Sequence, residues 1–281
     1  MVLYIEESEM AFFTSDDLKN WTETSRLKSF HECPELFELP LDHDRNNKKW
    51  VLYGAAADYY IGSFDGKKFT PETDSIRFNY GNAFYASQTF SDIPKEDGRR
   101  IMMGWGQVPM PGMPFNQQMS FPRELTLRTT PDGIRLFIAP VREIEGIREH
   151  SHRWEGQPLS PGENPLAGLR GELFDIRAEI DPGTATEVGF TLRGEPVRYD
   201  VGTETLSCLG KDAPLRLQDG RIRLQILLDR TSIEVFGNDG RVSMPTCFLP
   251  GLDDRSLGIY ASGGDARVLS LEVHELRSAW E

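Results

Sequence analysis

Almost nowhere in this chain do apolar residues recur at helical spacing; they alternate in short runs closed by turn residues, which restricts the fold to β-sheet. Residues 2–5 and 11–14 predict a strand pair, followed by the turn Asp16-Asp17-Leu18-Lys19-Asn20-Trp21. Met1-Val2-Leu3-Tyr4-Ile5 reads as a strand from the middle of a sheet. More strands are predicted over 35–39, 50–54 and 59–64, the last ending at Asp65-Gly66 before Lys68-Phe69-Thr70. Runs over 84–90, 101–105, 119–126 and 134–138 continue the pattern. Groups of about four strands separated by turns are what propeller blades look like. Roughly two and a half such units are read here, fewer than any closed propeller contains.

After Pro140 the texture changes. Residues 141–152 are charged and predict the one short helix, and 155–165 are rich in Gly and Pro, as in a linker. From Gly171 alternation returns through Phe174, Ile176, Ala178 and Ile180, and later through Ile222, Leu224 and Ile226. That stretch predicts a β-sandwich. The reading is therefore all-β: a partial propeller of catalytic type over 1–145, a linker over 146–166, and a sandwich over 167–281.

A formal net charge of −13 opposes a nucleic-acid surface, which needs clustered Lys and Arg, and suits an anionic membrane poorly. A neutral sugar is compatible with it. Cys33, Cys208 and Cys247 are odd in number and widely spaced, implying neither a disulfide framework nor a zinc site. His43, His150, His152 and His274 form no ligand spacing, so no metal or cofactor is expected. No Gly-rich phosphate loop and no Gly-x-Ser-x-Gly elbow occurs. No apolar run approaches the ~20 residues of a membrane span, and the first residues lack a signal-peptide pattern; a cytoplasmic location is the expectation.

The chemistry concentrates in His31-Glu32-Cys33-Pro34-Glu35-Leu36-Phe37-Glu38-Leu39. With Phe13-Thr14-Ser15-Asp16-Asp17-Leu18-Lys19-Asn20-Trp21, Gly81-Asn82-Ala83-Phe84-Tyr85-Ala86-Ser87-Gln88-Thr89-Phe90, the run from Gly112 to Leu127 and Asp229-Arg230-Thr231-Ser232-Ile233-Glu234-Val235-Phe236, this segment resembles family 32 of the glycoside hydrolases, the β-fructosidases. The resemblance covers essentially the whole chain, with five motifs in the family's order. It implies a five-bladed propeller, of which about half is present, followed by a β-sandwich. It also implies cleavage of β-fructofuranosyl linkages of sucrose, levan or inulin type, with Glu32 as general acid/base, its proton affinity raised by burial. Two departures stand out. The family's Asn-Asp-Pro-Asn-Gly, whose Asp is the nucleophile, and its Arg-Asp-Pro are both absent, and Ala83 stands where Asp is usual.

Glu32 is thus the candidate catalytic residue, and Trp105, Tyr85, Cys33 and Gln88 are candidates for substrate contact. Trp105 stacks on a furanose ring or packs in the sheet. Strand alternation puts Tyr85 and Gln88 on opposite faces, so that one of them at most reaches a sugar. Arg123-Glu124 reads as a structural pair in preference to a sugar contact, and Phe84 and Phe115 as core. The expected partner is a fructose-containing oligo- or polysaccharide. Open blade edges predict a homo-oligomer. The alternative is a catalytically silent carbohydrate-binding homologue or a fragment of a longer fructosidase.

Overall fold

The computed structural model describes residues 2–6, 9–28, 30, 32–55, 58–251 and 253–280; His31 lies outside them. Apart from a 3₁₀ turn at Arg142–Ile147, every regular element is a strand. Two compact units divide the chain, one of residues 1–79, 84–105 and 122–137, the other of 80–83, 106–121 and 138–281.

The first unit holds three successive groups of strands: a three-stranded antiparallel sheet, then two antiparallel runs of a ten-stranded sheet that meet at a parallel pairing of Leu41 with Leu127. Val2–Glu6, Glu9–Thr14 and Thr22–Lys28 form the first, with Val2–Glu6 at its edge. Glu35–Leu41, Asp44–Tyr53, Asp58–Phe64 and Phe69–Pro71 form the second, and Tyr85–Thr89, Arg100–Gly106, Arg123–Thr130 and Gly133–Pro140 the third. This is the all-β, partial-propeller arrangement that the alternation predicts. The third group is interrupted by two long loops that hide its period.

The first two groups turn by the same device. Asp17 Oδ1 accepts from the backbone N–H of Lys19 (2.8 Å) and Asn20 (2.7 Å), with Leu18 at φ 60°. Asp65 Oδ1 accepts from Lys67 (2.8 Å) and Lys68 (2.7 Å) around Gly66 at φ 93°. These donors hold both carboxyls below the usual carboxylate range. An apolar cluster of Met10, Phe12, Phe30, Leu52 and Phe69 packs the two groups together. In the third group, Phe84 is buried against Gly104, where a Cβ would come 2.1 Å from a ring carbon.

In the second unit, Arg148–Leu159, Ala266–Leu276, Phe174–Asp181, Ile222–Asp229, Ser232–Gly237 and Val242–Cys247 form a six-stranded sheet. Lys211–Pro214, Thr205–Cys208, Glu195–Asp200, Glu187–Leu192 and Leu257–Ser262 form a five-stranded one. Alternating residues such as Ile176, Ile180, Phe190, Ile226 and Val273 fill the core between them. The segment expected to be a linker is corrected here. Residues 148–159 are a twelve-residue strand registered on 266–276, from Arg148↔Leu276 to Leu159↔Ala266. Its side chains are largely exposed, so its polarity resembled a linker's.

Outside that core, buried Asp175 accepts from Arg148 and from Gln225 Nε2 at 2.8 Å. Its strand neighbour His274 bonds Ser151 Oγ (2.7 Å) and Glu272 (3.2 Å).

Two outcomes are expected. Gly104→Ala pushes Phe84 out of place and costs about 1–3 kcal/mol, the usual penalty for overpacking, readable by urea unfolding. His274 is held below its ordinary value by burial and then by Arg148. Below about pH 6.5 the unfolded chain takes up a proton that the folded one resists, so stability falls as pH drops. Melting temperatures from pH 8 to 5 are expected to decline less steeply in His274→Gln.

Candidate active site

The main chain at the candidate acid is strained. Glu32 (φ 59°) and Cys33 (φ 44°) both lie in the left-handed region that side-chain-bearing residues avoid. Two contacts hold them there. Ala55 N–H donates to the Glu32 carbonyl at 2.9 Å. Gly54 leaves room beside them: a Cβ there would stand 2.4 Å from Phe30 Cβ and 3.2 Å from the Glu32 oxygen.

So held, Glu32 projects its side chain outward, exposed and not buried as expected. Its Oε2 accepts from the Tyr85 hydroxyl at 2.7 Å. That bond is the chief reason the Tyr85 phenol is pushed above its ordinary value, so near neutrality it stays a donor. Tyr85 is thereby an immediate partner of the carboxylate. Trp105 lies opposite it in register, ring edge to face at 6.5 Å and 62°, and is 38% exposed.

Gln88 corrects the alternation argument. Tyr85 pairs with Trp105, yet Gln88 pairs with Met103, three residues along one strand matching two on the other. The extra residue is a bulge with Ala86 at φ 45°, and it restores Tyr85 and Gln88 to the same face. Gln88 is exposed. Nothing in the residue types of Tyr85-Ala86-Ser87-Gln88 announces the bulge.

The residue that sequence reasoning passed over is Glu35. Its Oε2 accepts from the buried Tyr53 hydroxyl and from Thr89 N–H (2.9 Å), and its Oε1 from the Thr89 hydroxyl (3.1 Å). Burial, then the Glu35 carboxylate, drives the Tyr53 phenol far up, keeping it a donor. A cleft of about 470 Å³ opens beside Glu35, lined also by Glu38, Trp50 and Arg100, though not by Glu32. Glu38 is exposed and pairs with Lys48 at 3.5 Å. Cys33 is half-buried, its thiol pushed up by burial and then by Glu32 and Glu35.

Other candidates resolve as follows. Arg123 is fully buried with its guanidinium 4.5 Å over the Phe84 ring, a structural place. Phe84 is core, whereas Phe115, expected in the core, is 54% exposed on a loop. Among the described residues no cluster of three or more His, Cys, Asp or Glu is placed to hold a metal ion.

The model of the glycosyl hydrolases family 32 N-terminal domain matches residues 2–140, and that of the glycosyl hydrolases family 32 C terminal matches 143–275. The chain belongs to glycosyl hydrolase family 32. A levanase of Bacillus subtilis (strain 168) is 37% identical over 317 residues, covering 95% of this chain and 47% of that protein. A levanase of Bacillus sp. (strain L7) is 34% identical, covering 95% of this chain and 34% of its own length. Among solved structures, exo-inulinase from Aspergillus awamori superposes with a TM-score of 0.84 at 23% identity, over 97% of this chain and 63% of that one. Fructan 1-exohydrolase IIa from Cichorium intybus gives 0.79 at 18%, over 98% and 68%. These likenesses show the fold of the family, a propeller followed by a β-sandwich. This family 32 chain spans about half the length of the first of these levanases, or less of the second.

Alkylation tests the environment of the acid. At pH 7, Cys33 is expected to react more slowly than an ordinary thiol, because less of it is thiolate. Glu32→Gln removes one of the charges that oppose ionisation, so peptide mapping of labelled protein should show faster modification there.

Proposed function

We propose that this chain supplies the proton-transfer half of a retaining β-fructosidase acting on levan- or inulin-type fructans. The single observation that carries the reading is the exposed Glu32 carboxylate, presented by strained main chain and bonded by Tyr85 at 2.7 Å with Trp105 against that tyrosine. Its relatives named as levanases support the substrate class.

In a retaining cleavage one carboxylate attacks the anomeric carbon while a second, about 5–5.5 Å away, protonates the departing oxygen. Glu32 takes the second role, then withdraws a proton from the water that releases the sugar. Tyr85 steadies the carboxylate between these transfers by donating to Oε2. Trp105 offers a partly open aromatic face to a furanose ring, and Gln88, on the same side of its strand, offers an amide to sugar hydroxyls. The Glu35 oxygens are engaged by three donors, which makes Glu35 a poor nucleophile. Glu35 is therefore not given the attacking role, which a carboxylate of another chain or an unconventional residue would fill. The absence of Asn-Asp-Pro-Asn-Gly favours one alternative, a protein that binds fructan without cleaving it.

Fructose release from levan and inulin tests the reading. Glu32→Gln is expected to lower it by about 10²–10⁴-fold, the typical size of general acid catalysis, with Glu38→Gln unchanged. Equal activity in both variants removes Glu32 from the mechanism. Fructan binding without turnover selects the alternative. The open edge at Val2–Glu6 favours self-association, and a monomer by light scattering would count against it.

A further inference from the structure

We infer that Glu35 is a positioning residue for Glu32, acting by fixing the strand whose tyrosine bonds that acid. This rests on the acid role proposed above. The strand Glu35–Leu41 pairs with Asp44–Tyr53 and meets Arg123–Thr130 at Leu41↔Leu127, whereas Tyr85–Thr89 pairs with Arg100–Gly106. Among the described residues no ladder pairs Glu35–Leu41 directly with Tyr85–Thr89. Side-chain links join the two segments instead. Tyr85 bonds Glu32, three residues before the first strand, at 2.7 Å and exposed. Thr89 bonds Glu35 through both the backbone N–H and the hydroxyl, at 2.9 and 3.1 Å and half-buried.

The two links differ in what they can bear. A single exposed phenol–carboxylate bond competes with water and fixes little. A carboxylate that accepts from a backbone amide, a hydroxyl and a buried phenol holds its partners in register. Tyr53 extends the anchor, since its hydroxyl also reaches the Ser87 carbonyl at 3.3 Å, and Arg100 reaches the Thr89 hydroxyl at 3.3 Å. The Ala86 bulge lies between the anchored Thr89 and the working Tyr85. A bulge breaks the ladder at that point, so the direction of Tyr85 depends on how firmly the strand beyond it is held. A glutamine at 35 would retain one acceptor oxygen and present an amide to donors that already point there.

The Tyr85 phenol reports the link without requiring catalysis. The groups facing it are Glu32 and Cys33, with Trp105 alongside. Its ultraviolet titration is isolated by subtracting the curve of the same protein carrying Tyr85→Phe, with circular dichroism confirming the fold at each pH. In the unaltered chain Tyr85 should titrate above the ordinary value of about 10. Glu32→Gln should bring it down toward that value, Glu35→Gln should move it in the same direction, and Glu38→Gln should leave it in place. A folded Glu35→Gln whose Tyr85 titrates as in the unaltered chain overturns the inference. Should Glu35→Gln fail to fold, Thr89→Val decides, because it removes the hydroxyl's bonds to Glu35 and Arg100 and keeps the backbone one: a smaller downward shift supports the link and none refutes it. A chain with no fructan turnover or binding would end the proposed function but leave this titration intact. An unmoved Tyr85 in Glu32→Gln would instead overturn the bond on which both depend.

Discussion

Among the described residues no ladder pairs Glu35–Leu41 directly with Tyr85–Thr89; side-chain bonds link the two strands, and the arrangement at Glu32, three residues before the first, depends on them. Within each group of strands, backbone hydrogen bonds set register and leave little freedom. The group starting at Glu35 meets the one starting at Tyr85 through the parallel pairing of Leu41 with Leu127, and at its other end through Glu35, Thr89 and Tyr53, and through Arg100, whose guanidinium lies 4.7 Å over Phe37. Phe37 in turn meets Tyr53 edge to face at 5.9 Å and 70°. Such a junction combines apolar packing with buried polar bonds that are costly to leave half made. It can specify one arrangement of the two strands where packing alone would allow sliding.

Much of this was legible in the residues because strand periodicity is a local property. Alternation marked most strands, and the Asp17 and Asp65 turns announced themselves through the side chain that caps them. What escaped was non-local. The strand at 148–159 spans the charged 148–152, which suggests a helix, and the start of the Gly- and Pro-rich 155–165, which suggests a linker; its order comes from pairing with 266–276, more than a hundred residues away. Ala86 carries no sign of the bulge that sets the parity of Tyr85 and Gln88. Glu35 sat in plain view within the same motif as Glu32, but its importance depends on Tyr53 and Thr89, which only the fold brings to it.

The motifs around 80–83 and 106–121 belong by contact to the sandwich unit, although they flank propeller strands in sequence. Asn82 accepts from Cys247 N–H at 2.8 Å and donates to its carbonyl at 3.2 Å. Gly81 lies where a Cβ would stand 1.7 Å from the Pro245 carbonyl oxygen, so no side chain fits. Ala83 is buried, its N–H directed at the same carbonyl at 3.3 Å. Gln118 links Thr231 (2.6 Å) and Cys247 (3.2 Å), and Phe121 N–H donates to buried Glu234 at 3.0 Å. The conspicuous residues of these two motifs are therefore explained as attachment, and a substrate role need not be invoked for them.

Glu32 and Glu35 are three residues apart in one motif and chemically alike, yet their surroundings separate them. One is exposed, on strained main chain, its carboxylate accepting from the Tyr85 phenol at 2.7 Å; the other is half-buried and engaged by three donors. Three donors converge on the two Glu35 oxygens and tie down the strand that carries Thr89, whereas the Tyr85 bond to Glu32 is made where water competes for it. Side-chain chemistry alone makes either a candidate acid, and the separation is made by the strands that reach each one.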